Sequence, residues 1–409
     1  MSTAKVASSP VHGSVASGFE RVEREFRRNF AERGEVGAAC AMHFRGQKVV
    51  DLWGGYRDRK TRAPWEEDTL VVVFSATKGM AAMALAVAHS CGLLDYDEAV
   101  STYWPEFAQH GKAAITVRQL LSHQAGLCAI DEPLDLNTIG DHEALAAVLA
   151  RQKPAWLPGT RHGYHCWTMG WYMSELMRRV DPHGRGIGQY FHDEIATPLG
   201  VEFYISLPGD IPDARLATLI PAGTSKALAA LRQHPYLRCL LRAALNPSKS
   251  KPLTYRTLMN PKALTNHRNL NKRELLSLEI ASENGIGQVR SMARAYSVFA
   301  AGGGELSLDN ETIAALTAPV VPPGGGWRDE VLLVDNCYSL GFNRPLHNFT
   351  FGVSDRAFGH AGASGAFAFA DPDAQVGYAY APNRVGIYGS DDPRERALRN
   401  ALYECLKTQ

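Results

Sequence analysis

The stretch Val71-Val72-Val73-Phe74-Ser75-Ala76-Thr77-Lys78-Gly79-Met80, followed by the apolar run from Ala81 to Ala88, constrains the chain most. A short β-branched run ends in a phenylalanine and a serine. Good helix formers such as Ala81, Ala82, Met83 and Leu85 follow. The pattern predicts a buried helix that starts at or next to Ser75 and runs to about Cys91, with Gly92 just past its end. Lys78 lies three residues after Ser75, on the same face of the first turn. An ammonium in an apolar helix must lose its proton or find partners. A lysine with a depressed pKa is a suitable base for a serine hydroxyl. The same serine also suits a helix N-cap, so a nucleophile and a cap are both open at this point. Ser-x-x-Lys occurs three times in the chain. Ser2/Lys5 sits in a small-residue tail and Ser248/Lys251 in a polar run, so only Ser75/Lys78 opens a long apolar helix.

A chain of 409 residues with 45% hydrophobic and 21% charged residues has the composition of a soluble globular protein, large enough for two cores or one with an insertion. Its net charge of +1 gives no reason to expect a nucleic-acid partner. Seven scattered cysteines without a Cys-x-x-Cys pair suggest neither a disulfide framework nor a metal site, and reduced thiols point to a cytoplasmic protein. No apolar run is long enough for a membrane span, and residues 1–18, which lack an apolar core, read as a disordered lead-in rather than a secretory signal.

Along the rest of the chain, Phe19 to Arg33 reads as an amphipathic helix. Val36 to Phe44 and Val49 to Trp53 read as a hairpin turning at Arg45-Gly46-Gln47, with a connector from Gly54 to Asp68. Asp97 to about Arg185 is mostly helical, and Asp213 to Pro261 reads as a helical insertion or lid. Gly285-Ile286-Gly287 is expected to open a helix to about Ala301. Short strands are expected at Glu330–Val334, Tyr338–Phe342, Ala366–Ala370 and Val376–Ala381, and a last helix at Arg394–Leu406. Strands at both ends with helices between them imply an α+β fold. One antiparallel sheet is built from both chain ends (about 19–95 and 285–409), with a helical subdomain (about 96–284) inserted.

Two further stretches carry chemistry. Tyr164 follows a glycine in the loop before a helix from Trp167, where it reads either as a proton carrier or as a packing tyrosine; His165 reads as a structural histidine. Gly359-His360-Ala361-Gly362-Ala363-Ser364-Gly365 is rich in small residues that let a substrate approach the backbone, and a strand-edge N–H there can serve an oxyanion. No Gly-x-Ser-x-Gly, His-Glu-x-x-His or Walker sequence occurs, which disfavours α/β-hydrolase, zinc peptidase and phosphoryl-transfer chemistry.

The order Ser75-x-x-Lys78, then Tyr164, then His360-Ala361-Gly362 resembles the serine β-lactamase-like and penicillin-binding-protein-like family, closest to its esterase branch, the family VIII carboxylesterases. Leu52-Trp53-Gly54-Gly55, Leu120-Leu121-Ser122-His123-Gln124-Ala125-Gly126-Leu127, Leu157-Pro158-Gly159-Thr160 and Pro198-Leu199-Gly200 are similar too. The match runs from about Val11 to Leu406 and is loose between Pro212 and Pro252.

The resemblance implies a β-lactamase/transpeptidase-like α/β sandwich, a serine esterase on short or medium acyl esters, and no cofactor or metal. It implies that Ser75 is the nucleophile, that Lys78 and Tyr164 activate it, that the N–H groups of Ser75 and Ala363 form the oxyanion hole, and that His360 and Gly362 meet the substrate. Which of Lys78 and Tyr164 is the base stays open. Cys166 stands where β-lactamases have asparagine, and His360-Ala361-Gly362 replaces Lys-Thr-Gly. A neutral histidine in place of a fixed cation favours neutral esters over β-lactams. Ser282-Glu283-Asn284 is similar to the Ser-Asp-Asn of other branches, but Tyr164 fills that position in the order, so it is not expected to serve. Acyl transfer, D-amino-acid peptidase activity, weak β-lactamase activity and an inactive binding scaffold are the alternatives. The sequence leaves the oligomeric state open.

Overall fold

The computed structural model describes residues 10–246 and 250–409. β1 (Val11–Val15) precedes α1 (Glu20–Glu32), β2 (Gly37–Phe44) and β3 (Gln47–Asp58). Phe44 pairs with Gln47, so the hairpin turns on Arg45 and Gly46 alone, at φ 50° and 77°. Two left-handed positions are what a tight turn matched to strand twist requires. β3 continues to Asp58, through the first third of the expected connector.

β1 corrects the disordered lead-in expected over residues 1–18, because it pairs antiparallel with β3 from Val11↔Gly54 to Val15↔Val50. Its residues show little burial, since an edge strand is held by main-chain hydrogen bonds more than by side chains. Residues 1–9 lie outside those described.

β4 (Ala63–Pro64) pairs with β3, and β5 (Val71–Val72) leads to α2 (Thr77–Ser90). Every residue of α2 from Thr77 to Ala88 is buried. A helix apolar on all sides must lie inside the molecule. Between α2 and residue 285 the chain is largely helical, including His142–Arg151, Thr168–Val180 and Pro235–Leu245. β6 (Phe203–Tyr204) interrupts it and forms a small sheet with β5 and β7 (Ile286–Gly287), β7 in the middle.

β7 corrects the helix start expected at Gly285; the helix is Val289–Ala300. The two glycines serve close packing instead. A Cβ on Gly285 would fall 2.6 Å from Thr77 Oγ1, and one on Gly287 2.6 Å from the Phe203 ring. The strand expected at Glu330–Val334 is also absent. There the chain turns around Asp329, whose Oδ1 accepts the N–H groups of Val331 and Leu332, both at 2.8 Å.

The main sheet is completed by β8 (Tyr338–Ser339), β9 (Phe342–Asn343), β10 (Phe358–Ala361), β11 (Phe367–Asp371) and β12 (Val376–Pro382), in the order β1-β3-β2-β12-β11-β10-β9-β8. β12 pairs with β2, which joins the two chain ends. Alternation divides the sheet. Phe367, Phe369, Tyr378 and Tyr380 face α1 and the last helix, Pro393–Leu406, whose Leu398 and Leu402 meet Val22 and Phe26. Ala368, Ala370, Ala379 and Ala381 face the other core with Met292 and Tyr296. Small residues on that face let Val289–Ala300 lie against the sheet. A Cβ on Gly377 would fall 2.4 Å from the Ser297 nitrogen. Among the described residues no helix is long and apolar enough to cross a membrane.

Gly377→Val is therefore expected to destabilise the fold by about 3 kcal/mol in chemical denaturation, because backbone, not a flexible side chain, blocks the added atoms. Gly209→Ala, with open space around it, is expected to stay within about 0.5 kcal/mol of wild type.

Candidate active site

Ser75 sits in a 3₁₀ turn, Phe74–Ala76, that runs directly into α2. Phe74 is left-handed at φ 52°, a conformation costly for a bulky residue. It is held there by burial: its ring packs with Ile286, Leu270 and Val72 and lies edge-on to His267. Thr77 Oγ1 secures the turn by donating to the Phe74 carbonyl and accepting the Gly285 N–H at 2.9 Å. The N-cap of α2 is Ala76 with no side-chain cap. The Ser75 hydroxyl therefore caps nothing, and the cap reading of the sequence falls away.

Ser75 Oγ is instead 3.3 Å from Lys78 Nζ and 3.2 Å from Glu283 Oε2. Lys78 is fully buried, and its Nζ donates to the carbonyls of Cys166 (2.8 Å) and Ser282 (2.9 Å). Burial pulls its pKa down to about 8, against the opposing pull of Cys166 and Glu283. A neutral amine has two N–H bonds and one lone pair. With both N–H groups on carbonyls, the lone pair is left for the Ser75 hydroxyl.

Tyr164 is buried in the loop before Thr168–Val180, with its ring face 4.7 Å from Lys78 Nζ. Burial above all, with the nearby Glu283 and Asp329 carboxylates adding to it and a hydrogen bond with Ser75 opposing it, leaves its phenol far above the ordinary range. The neutral phenol is thus the form present at neutral pH. Asp329 fixes this residue from behind: Oδ1 accepts the Tyr164 N–H (3.2 Å) and Oδ2 accepts the Tyr338 hydroxyl (2.8 Å), whose ring stacks on Tyr164. His165 is structural, as the sequence suggested. Its Nε2 accepts the Leu127 N–H at 3.0 Å and its Nδ1 donates to the Gly163 carbonyl at 2.7 Å.

His360 lies inside β10 rather than before a strand. Its Nδ1 donates to the Ala361 carbonyl at 2.8 Å, and its buried Nε2 has no hydrogen-bond partner among the described residues. Burial first, then the nearby Lys78 charge, pull its pKa to about 3, so the ring is neutral. Gly362 packs on the nucleophile turn so closely that a Cβ would fall 2.1 Å from the Val73 carbonyl oxygen. Ala363, the next residue, packs against the apolar cluster that holds Phe74. Among the described residues neither the Ser75 N–H nor the Ala363 N–H meets an acceptor. The Cys166 thiol, where β-lactamases have asparagine, is pushed up to about 12 by burial and stays protonated.

Ser282-Glu283-Asn284 corrects the sequence reading, because two of its residues reach the site. The Ser282 carbonyl holds Lys78 and the Glu283 carboxylate meets Ser75. Asn284 is structural, donating to the carbonyls of Leu275 and Leu278, each at 2.7 Å. An acidic residue between Ile280-Ala281 and Ile286, without a basic neighbour in the sequence, was the available signal. Of the other Ser-x-x-Lys copies, Ser2, Lys5 and Ser248 lie outside the described residues, and Lys251 donates to the Ala243 and Asn246 carbonyls.

The family model described as Beta-lactamase matches residues 20–403. The chain belongs to that family. Over 382 residues it is 33% identical to Esterase/beta-lactamase LipL of Mycobacterium tuberculosis (strain ATCC 25618 / H37Rv), which spans 92% of this chain and 83% of that protein. A crystal structure of a family VIII carboxylesterase superposes with a TM-score of 0.80 at 35% identity, covering 97% of this chain and 100% of the other. A penicillin-binding protein homolog from Caulobacter crescentus does so with a TM-score of 0.82, again at 35% identity, 97% and 100% coverage. This member of the Beta-lactamase family is accordingly a serine hydrolase with esterase-named relatives, on the β-lactamase/transpeptidase-like fold that its sequence resembles.

Asp329→Ala would strand the Tyr338 hydroxyl and the N–H groups of Tyr164, Val331 and Leu332. A loss of about 3 kcal/mol in denaturant melts is expected, with Asp329→Asn, which keeps one oxygen, losing less.

Proposed function

We infer that the protein is a carboxylesterase that hydrolyses neutral esters of short or medium acyl chains through an acyl-enzyme on Ser75. The observation that carries this reading is the Lys78 amine, tied by two carbonyls so that its lone pair faces Ser75 Oγ. Lys78 takes the hydroxyl proton as Oγ attacks the ester carbonyl. The N–H groups of Ser75 and Ala363 receive the oxyanion. Tyr164, a neutral phenol against the same hydroxyl, passes a proton between Lys78 and the departing alcohol. The lysine is the better base of the two, since its pKa near 8 suits neutral pH and the phenol's does not.

His360 supports a neutral substrate, as a ring uncharged at pH 7 offers no fixed cation to a β-lactam carboxylate. The Glu283 carboxylate beside the nucleophile would repel such an anion further. Ser75 is only 8% exposed, and a recessed nucleophile favours small acyl groups. All seven cysteines are free thiols, which fits a cytoplasmic esterase.

A panel of p-nitrophenyl esters against nitrocefin tests the substrate class, with ester turnover expected to exceed nitrocefin turnover. Ser75→Ala should lose fluorophosphonate labelling and at least about a thousandfold in ester turnover; retained turnover would refute the acyl-enzyme. The base must be unprotonated to act, so the labelling rate of wild type should climb with pH and level off above the Lys78 pKa of about 8. A rate flat from pH 6 to 9 would remove Lys78 from that role.

A further inference from the structure

Glu283 is 3% exposed, yet its side chain has one hydrogen-bond partner among the described residues, the Ser75 hydroxyl. Other buried carboxylates in this fold are held far more firmly. Glu35 has Arg394 at 3.1 Å and the Tyr380 hydroxyl, Glu395 has Arg399 at 2.9 Å, and Asp329 takes three N–H groups and a phenol. The nearest amine, Lys78, has its N–H groups on the Cys166 and Ser282 carbonyls and its remaining contact with Ser75, so it gives Glu283 no hydrogen bond. A carboxylate desolvated at this depth for one weak neutral donor contributes nothing to stability that an apolar residue would not. Its position is explained by the chemistry of the oxygen it touches.

We propose that Glu283 is the general base of deacylation, taking the proton from the water that hydrolyses the acyl-enzyme on Ser75. This rests on the esterase reading above. Esterification removes the Ser75 hydroxyl proton and with it the donor to Oε2. The carboxylate then stands next to the ester oxygen, one bond from the carbonyl carbon, with its acceptor free for a water. That water gives a proton to Glu283 as its oxygen bonds to the carbon. The oxyanion forms on the N–H groups of Ser75 and Ala363. On collapse the bond from carbon to Oγ breaks, the carboxylic acid leaves, and Oγ takes the proton back from Glu283. No other proton source or sink is needed. The product state has Ser75 Oγ back at 3.2 Å from an ionised Glu283, as in the free enzyme, and its one proton turns from that carboxylate to the Lys78 lone pair when the next acylation begins. Lys78 is meanwhile neutral, having passed its proton to the alcohol in the first half.

The charged and titratable groups facing this carboxylate are Lys78 from α2, and Tyr164 and Cys166 from the loop before Thr168–Val180. Burial raises the Glu283 pKa to about 7, with Lys78 and the Ser75 hydroxyl pulling against it. Deacylation should thus slow as pH falls through 7, where the base becomes protonated.

The test is pre-steady-state hydrolysis of p-nitrophenyl acetate by wild type, Glu283→Gln and Glu283→Asp, with mass spectrometry of the quenched protein and fluorophosphonate labelling alongside. In Glu283→Gln the expected result is a burst of one p-nitrophenolate per enzyme, an accumulated acetyl-enzyme, and turnover slower by about a hundredfold or more. Fluorophosphonate should still label Ser75 in Glu283→Gln, at a rate that reflects the charge removed beside Lys78, and a circular dichroism spectrum like that of wild type shows that the variant is folded. The acid limb near pH 7 should vanish from the deacylation rate of Glu283→Gln and persist in Glu283→Asp, whose turnover is partly restored. Wild-type turnover in Glu283→Gln overturns the proposal. So does a parallel loss of labelling and turnover with no acetyl-enzyme. Wild type that never labels at Ser75 would instead overturn the esterase reading itself.

Discussion

A lysine amine in the first turn of a helix with no solvent-facing side must have acceptors brought to it from elsewhere in the chain. Here they are the carbonyls of Cys166 and Ser282, one before the helix Thr168–Val180 and one before β7. Neither is a side chain, so each can reach Nζ only if its whole segment is docked on α2. The location of three distant pieces of chain follows from satisfying one buried nitrogen. The same two contacts spend both N–H groups of the neutral amine and leave its lone pair on Ser75. The condition that lets Lys78 be buried is also the one on which its proposed role as a base rests.

The sheet serves this arrangement through its two unlike faces. Aromatic side chains of β11 and β12 fill the core under α1 and Pro393–Leu406, while alanines on the reverse side make room for Val289–Ala300 and α2. Bulk on one side and its absence on the other are read from alternate residues of the same strands. A shift of one residue in the pairing of β12 with β2 would exchange the faces and drive tyrosines toward α2.

What the sequence revealed follows from how local each signal is. Ser75, Lys78, Tyr164, His360 and Gly362 sit in stretches whose composition is unusual at short range, and the hairpin and last helix carry their own periodicity. β1 was hidden because an edge strand held by its backbone needs no apolar alternation. β7 was hidden because Gly285 and Gly287 read as helix punctuation when their cause is a close approach by Thr77 and Phe203. The turn at Glu330–Val334 owes its shape to one buried carboxylate, Asp329, which no propensity reveals. Glu283 is hidden because its proximity to Ser75 arises across 208 residues of chain, which the order of the motifs does not carry.

The seam between Gly362 and Val73 also bears on how such a catalyst diversifies. Even a methyl group at residue 362 would collide with a main-chain oxygen that cannot rotate away. The wall carrying the Ala363 amide is consequently closed to variation, whatever pressure a new substrate exerts. On Pro235–Leu245, by contrast, Leu241 and Leu245 face outward, where exchange costs little. Divergence in acyl preference is left to other positions, and a mutational library aimed at new esters is best spread over those where an added atom meets no main chain.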